Sequence, residues 1–172
     1  SEEFFRPGLA DELAADTRFQ QHFAAAVPAI LLEASIKWQP DGSQDPVRVG
    51  GVNLIACDER FWGLGPGGPQ TPPESRRLVV LNRPLAERLG IEVGPAGIGT
   101  PEKPTRVMLH LPNLGTVPSG TLLGQKTETV RGHDLTVAEV IPAEGLGRFS
   151  LRPNQQLPLN AYVSLELGKW LF

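Results

Sequence analysis

Residues 78–94 read LVVLNRPLAERLGIEVG. Leu78, Val79, Val80 and Leu81 form a short apolar run bounded by polar residues, the pattern of a buried strand. Asn82 stands where a helix N-cap belongs, because its side-chain oxygen can accept one of the orphan N–H groups of a first turn. Pro84 falls inside that turn, where its missing N–H costs little. Leu85, Ala86 and Leu89 make one apolar stripe over two turns, and Gly90 follows at the position that favours the left-handed conformation. Ile91 and Val93 are expected to resume a strand that Gly94 turns. The unit is strand, capped helix, strand. It carries no nucleophile, no metal-ligand pair and no phosphate-cradling glycines, so it is a structural element of a mixed domain.

Outward from this unit the signals are extended. To its N-terminal side, Ala29 to Trp38 alternates, with Ile30, Leu32, Ala34, Ile36 and Trp38 on one face. Gln39 to Ser43 (QPDGS) is a turn, and Val47 to Ile55 is the return strand of a hairpin. Gly50-Gly51 in its middle predicts a bulge. Asp58 caps a single helical turn that carries Phe61 and Trp62, both read as core plugs before ligand stackers. Gly63 to Ser75 is expected as a flexible surface loop and Pro95 to Pro104 as a second loop insertion. The first is not a phosphate-binding loop, since it lacks the Gly-Lys-Ser/Thr ending.

Further along, Val107, Leu109 and Leu111 mark a strand. Gln125 to Val130 and Leu135 to Ile141 suggest a hairpin turning at Arg131 to Asp134, which places His133 in the turn. Gly145 to Gly147 is a turn, Ala161 to Leu167 a last apolar run, and Leu165 to Phe172 the start of a helix. Near the N-terminus, Leu9 to Ala26 has helical periodicity, ended by Pro28, with a potential break at Asp16-Thr17. No internal repeat is evident. Seven to nine strands and two or three helices give an α+β class with a mixed or antiparallel sheet.

Composition narrows the function classes. The 172 residues hold 16 Lys and Arg against 19 Asp and Glu, for a net charge of −3, with the two signs interspersed. No basic face is dense enough to neutralise a phosphate backbone, so nucleic acid is not an expected partner. Glycine (19) and proline (17) make about a fifth of the chain, which favours turns over long helices. Cys57 is the only cysteine, so an internal disulfide is ruled out. His22, His110 and His133 have neither zinc-ligand spacing nor a neighbouring cysteine. No serine sits in a nucleophile elbow, and the acid pairs near helix starts are explained by capping. No catalytic residue, cofactor site or metal site is assigned. A hydrolase that joins Ser119 or Cys57 to His110 or His133 in space is the least favoured reading.

The order of several segments resembles a known family. Val49-Gly50-Gly51-Val52 with Arg60-Phe61-Trp62, then Val80 to Gly90 (VLNRPLAERLG), then Gly147 to Leu151 (GRFSL) with Asn154-Gln155 and Asn160 to Leu165 (NAYVSL), is similar to the periplasmic core domain of FtsX-like, MacB-type ABC transporter permeases. The stretch Leu135 to Val140 (LTVAEV) fits that family's later strand signal only loosely. The resemblance covers Pro28 to Leu167. It implies a single extracytoplasmic domain spanning 1–172, excised from a larger inner-membrane protein and shorter than the family's two-part domain. It also implies a non-catalytic role: relaying motion driven by a cytoplasmic ATPase, and contacting a periplasmic partner protein or an exported lipid, lipoprotein or peptide, with dimerisation possible in the full permease. Trp62, Asn113 and Trp170 are the candidate partner-binding residues, with the loops Gly63–Ser75 and Asn113–Ser119. The competing reading is a free-standing ligand- or peptide-binding module.

Overall fold

A computed structural model describes residues 8–40, 42–93, 104–112, 132–151 and 155–171. The stretch around Asn82 folds as its spacing requires. Leu78–Asn82 is a strand (β3, numbered in chain order) whose last four residues are buried. Asn82 caps the helix Arg83–Leu89 (α3), its Oδ1 accepting the Leu85 N–H at 3.2 Å. Gly90 is left-handed (φ 80) and donates to Glu87 O, while the Ile91 N–H returns to Ala86 O at 2.9 Å. These two bonds form a Schellman motif, which satisfies the last helical carbonyls and needs an apolar residue just beyond the glycine. Ile91 is that residue. Its burial reflects closure of the helix, and the strand expected at Ile91 and Val93 does not form.

Among the described residues six strands close into a barrel: β1 (Ala29–Trp38), β2 (Val47–Cys57), β3, β4 (Arg106–His110), β5 (Gly132–Ile141) and β6 (Asn160–Ser164), in the order β1-β2-β6-β3-β5-β4. The expected mixed sheet is present, but closure removes its edges. Four α-helices and two 3₁₀ helices accompany it: α1 (Leu9–Ala15), α2 (Thr17–Gln20), Glu59–Leu64, α3, Gly145–Arg148 and α4 (Leu165–Trp170).

The pairing hides a repeat. Exchanging β1 with β4, β2 with β5 and β3 with β6 leaves every pairing and its sense unchanged: β1–β2 and β4–β5 antiparallel, β2–β6 and β5–β3 parallel, β1–β4 and β3–β6 antiparallel. Each half runs strand, strand, 3₁₀ helix, strand, capped α-helix. Asn82 caps α3 through the Leu85 N–H, and Ser164 caps α4 through the Leu167 N–H, both at 3.2 Å. The repeat is absent from a linear reading because it lies in topology and caps, with little shared residue identity.

Burial explains the two kinds of strand pattern. β1 and β4 alternate because one face looks into the barrel and the other outward. β3 from Val79 onward and all of β6 are buried at successive positions because both faces are covered. Inside lies a core that includes Ile36, Val52, Leu54, Leu81, Leu109 and Val163. Outside β2, β3 and β6, the two 3₁₀ helices cover a second cluster of Ile55, Cys57, Phe61, Val80, Ile141, Leu146 and Tyr162.

Local expectations fare unevenly. The glycine bulge forms: Ala34 pairs with Val52 and Ile36 with Val49, leaving Ser35 opposite Gly50-Gly51, with Gly51 at φ 65. The long helix does not. Asp16 accepts the N–H groups of Arg18 and Phe19 at 2.7 and 3.3 Å, ends α1 and starts α2, which stops at Gln20. These bonds hold its carboxyl below the usual range. Neither helix buries a residue, so no packed face outweighs the cap. The turn expected at Arg131 to Asp134 is replaced by strand: Gly132, His133 and Asp134 pair with His110, Leu109 and Met108. Turn-forming composition lost there to pairing with a distant strand. The Gly63–Ser75 stretch is tied to the other half. Pro66 O accepts from Leu146 N, and Gln70 N donates to the Glu139 carboxylate, both at 2.8 Å. Residues 94–103, with most of the second loop insertion, and Gln125 to Val130 lie outside the described residues.

Candidate functional site

Among the described residues, two groups of polar side chains lie at the two seams where a strand meets its symmetry counterpart. At β3–β6 sits a buried junction. Asn82 Nδ2 donates to Gly147 O (2.9 Å) and Pro158 O (2.7 Å), while its Oδ1 accepts from Leu85 N and from Asn160 N (3.0 Å). Asn160 Nδ2 donates to Phe149 O (2.8 Å) and contacts the Tyr162 hydroxyl (3.0 Å), and its Oδ1 accepts from Asn53 Nδ2 (3.0 Å). The Tyr162 hydroxyl donates to Leu146 O. Burial pushes the Tyr162 phenol up, so it stays protonated. Asn82 was legible as a cap. Its role in joining the halves was not, because the carbonyls it meets lie 65 and 76 positions away.

At β1–β4 sits an open cleft of about 210 Å³, lined by Glu33, Ser35, Arg48, Gly50, Gly51 and His110, with Leu111 and Pro112 at one end. Arg48 Nε and Nη2 donate to Ser35 Oγ at 3.4 and 3.1 Å. His110 lies across from Ser35 on β1 and Gly132 on β5. Its Nδ1 is buried without a hydrogen-bond partner. Burial, followed by the charges of Arg48, Lys37 and His133, holds the imidazole below its ordinary pKa. The one sequence signal for this cleft is Gly50-Gly51, since glycines inside a strand mark a bulge or a close approach.

The residues singled out from sequence scatter over the barrel. Trp62 is half-buried, its ring 5.0 Å from Tyr162 and 5.4 Å from Phe61, over Gly68. Trp170 is 56% exposed at the end of α4, edge-on to His133 at 5.1 Å. Asn113, Ser119 and the loop joining them lie outside the described residues. His22 is exposed just after α2.

Cys57 and the histidines do not meet. Cys57 ends β2 inside the second cluster, and burial pushes its thiol up to about 12, the reverse of an activated nucleophile. Ile141 shares that cluster, whereas His133 sits eight residues back along β5. At about 3.3 Å per residue that is roughly 26 Å. His110 pairs at the same far end.

Among the described residues no group of three or more His, Cys, Asp or Glu is placed to hold a metal ion, and no helix is long and apolar enough to cross a membrane. Compared with known proteins, the chain matches no family model and no curated protein.

Proposed function

We propose that this chain is a non-catalytic extracytoplasmic domain of an FtsX-like, MacB-type ABC transporter permease, with the core fold of that class. In this role the domain relays motion driven by a cytoplasmic ATPase through the parent's membrane helices. It contacts a periplasmic partner protein or an exported lipid, lipoprotein or peptide.

One observation carries the reading. Three of the segments behind the resemblance converge on one junction: VLNRPLAERLG supplies Asn82, GRFSL supplies the carbonyls of Gly147 and Phe149, and NAYVSL supplies Asn160. Residues that recur as a signature are here spent on locking two halves of a barrel together. That is what a body moving as one piece requires, and it accounts for a signature without chemistry in it.

The test is the parent reading frame. A run of ~20 apolar residues shortly before Ser1, with several more beyond Phe172, is expected. Soluble flanks on both sides overturn the proposal. They would leave a free-standing binding module, which the open cleft at β1–β4 favours.

A further inference from the structure

The cleft at β1–β4 combines features that the barrel does not need for its own stability. A buried nitrogen without a partner costs free energy that the fold elsewhere avoids, since Asn82, Asn160 and Tyr162 all find partners. The Gly50-Gly51 bulge has no atom within 4 Å of where either Cβ would stand, so a ligand can approach the backbone closely. Arg48 is exposed, and its guanidinium plane is oriented by Ser35 Oγ.

We propose that this cleft binds a carboxylate group, held by the guanidinium of Arg48 and the imidazole of His110 over the Gly50-Gly51 bulge. The planar fork of arginine matches the two oxygens of a carboxylate. Glu33, which also lines the cleft, repels any anion and a doubly charged one such as phosphate more than a carboxylate. An open cleft of about 210 Å³ suits a small acid or a chain terminus. His110 lines the cleft and its Nδ1 is shut off from solvent, so a neighbouring side chain shifts for that nitrogen to meet the ligand. Arg48, long and exposed, does so by releasing Ser35 Oγ. Once protonated, His110 donates from Nδ1 to the carboxylate, so binding takes up one proton. The charged groups around it are Glu33 and Lys37 from β1, Arg48 from β2 and His133 from β5, with Asp134 two residues along β5 from Gly132. This inference does not depend on the permease reading.

The test uses the whole 172-residue chain and NMR of the histidine rings, at constant ionic strength in chloride. The probes are acetate and N-acetylglycylglycine, with the C-terminal amide of the latter as control. We expect a saturable shift of the His110 ring with the carboxylates and none with the amide. The affinity should rise about tenfold per pH unit lost between the bound-state midpoint of His110 and its lower free-state midpoint, the slope of one linked proton. Arg48→Gln, an exposed change that leaves the spectrum dispersed, should weaken binding more than tenfold. Tighter binding of the dipeptide than of acetate assigns the site to peptide C-termini, and equal binding assigns it to free acids. An amide that binds equally, a shift that never saturates, or unchanged affinity in Arg48→Gln overturns the proposal.

Discussion

The two symmetry seams of this barrel are built on opposite terms. At β3–β6 the strands are buried on both faces, and Asn82 alone holds four backbone groups, two carbonyls and two N–H groups. At β1–β4 the outer face is open, the adjoining strand β2 is bulged at Gly50-Gly51, and a histidine nitrogen lacks a partner. The same pairing rule produced both, so topology does not decide which seam is closed. The decision comes from what covers the outer face: two 3₁₀ helices pack beside β3 and β6, and no described helix lies over the cleft. A covered seam must satisfy every polar group internally. An open one is free to leave a group for something else.

The sharpest way to break this contrast is Asn82→Ala. It removes a cap, leaves the Pro158 carbonyl and the Asn160 N–H buried without the partner they have now, and leaves Gly147 O only the long bond from Asn160 Nδ2 at 3.5 Å, so about 4 kcal/mol of stability should be lost by urea denaturation with unchanged slope. A loss under about 1 kcal/mol would mean that the polar junction does not hold the halves together. Next comes Trp62→Ala. Truncating a ring packed on Phe61 and Tyr162 should cost about 3 kcal/mol while leaving partner or ligand binding intact. The reverse result would move Trp62 from the covered side of the molecule to its contact surface.

Ser164→Ala tests the counterpart cap. Ser164 bonds only the Leu167 N–H among the contacts described, so about 1 kcal/mol is expected. A cost matching Asn82→Ala would show that capping, rather than the junction, explains both. The smallest effect belongs to the open seam. His110 is held below its ordinary value of 6.5 in the folded chain. Between the two values the unfolded chain binds more protons, so stability is full above pH 6.5 and declines as pH falls through the lowered folded value. Thermal melts of His110→Gln should lose that part of the slope, and identical slopes in both proteins would remove His110 from the account.

Much of the fold was legible wherever neighbours in sequence are neighbours in space. β1 lies within the residues its alternation marks, β3 and α3 follow from an apolar run, a cap and a C-terminal glycine, and the Asp58-capped turn and the bulge form as expected. Errors fall where a distant partner outbids a local signal. His133 and Asp134 look like a turn until β4 pairs with them. The N-terminal periodicity looks like one helix until nothing covers its stripe and Asp16 caps a second. The Gly63–Ser75 segment looks free until Leu146 and Glu139 bond it.

Of the polar sites, sequence marked the pieces and not their company. Asn82 and Gly50-Gly51 stood out for backbone reasons, which act within a turn or a strand. Arg48 and His110 did not, because a charge and an imidazole gain meaning only from what faces them. By itself the sequence determined several strands, the caps, the turn glycines and the absence of an internal disulfide, all short-range or compositional matters. Only the tertiary structure decided that the sheet closes, that its halves repeat, and that one seam is sealed while the other is open. Those outcomes depend on pairings across scores of residues, and local spacing carries no record of them.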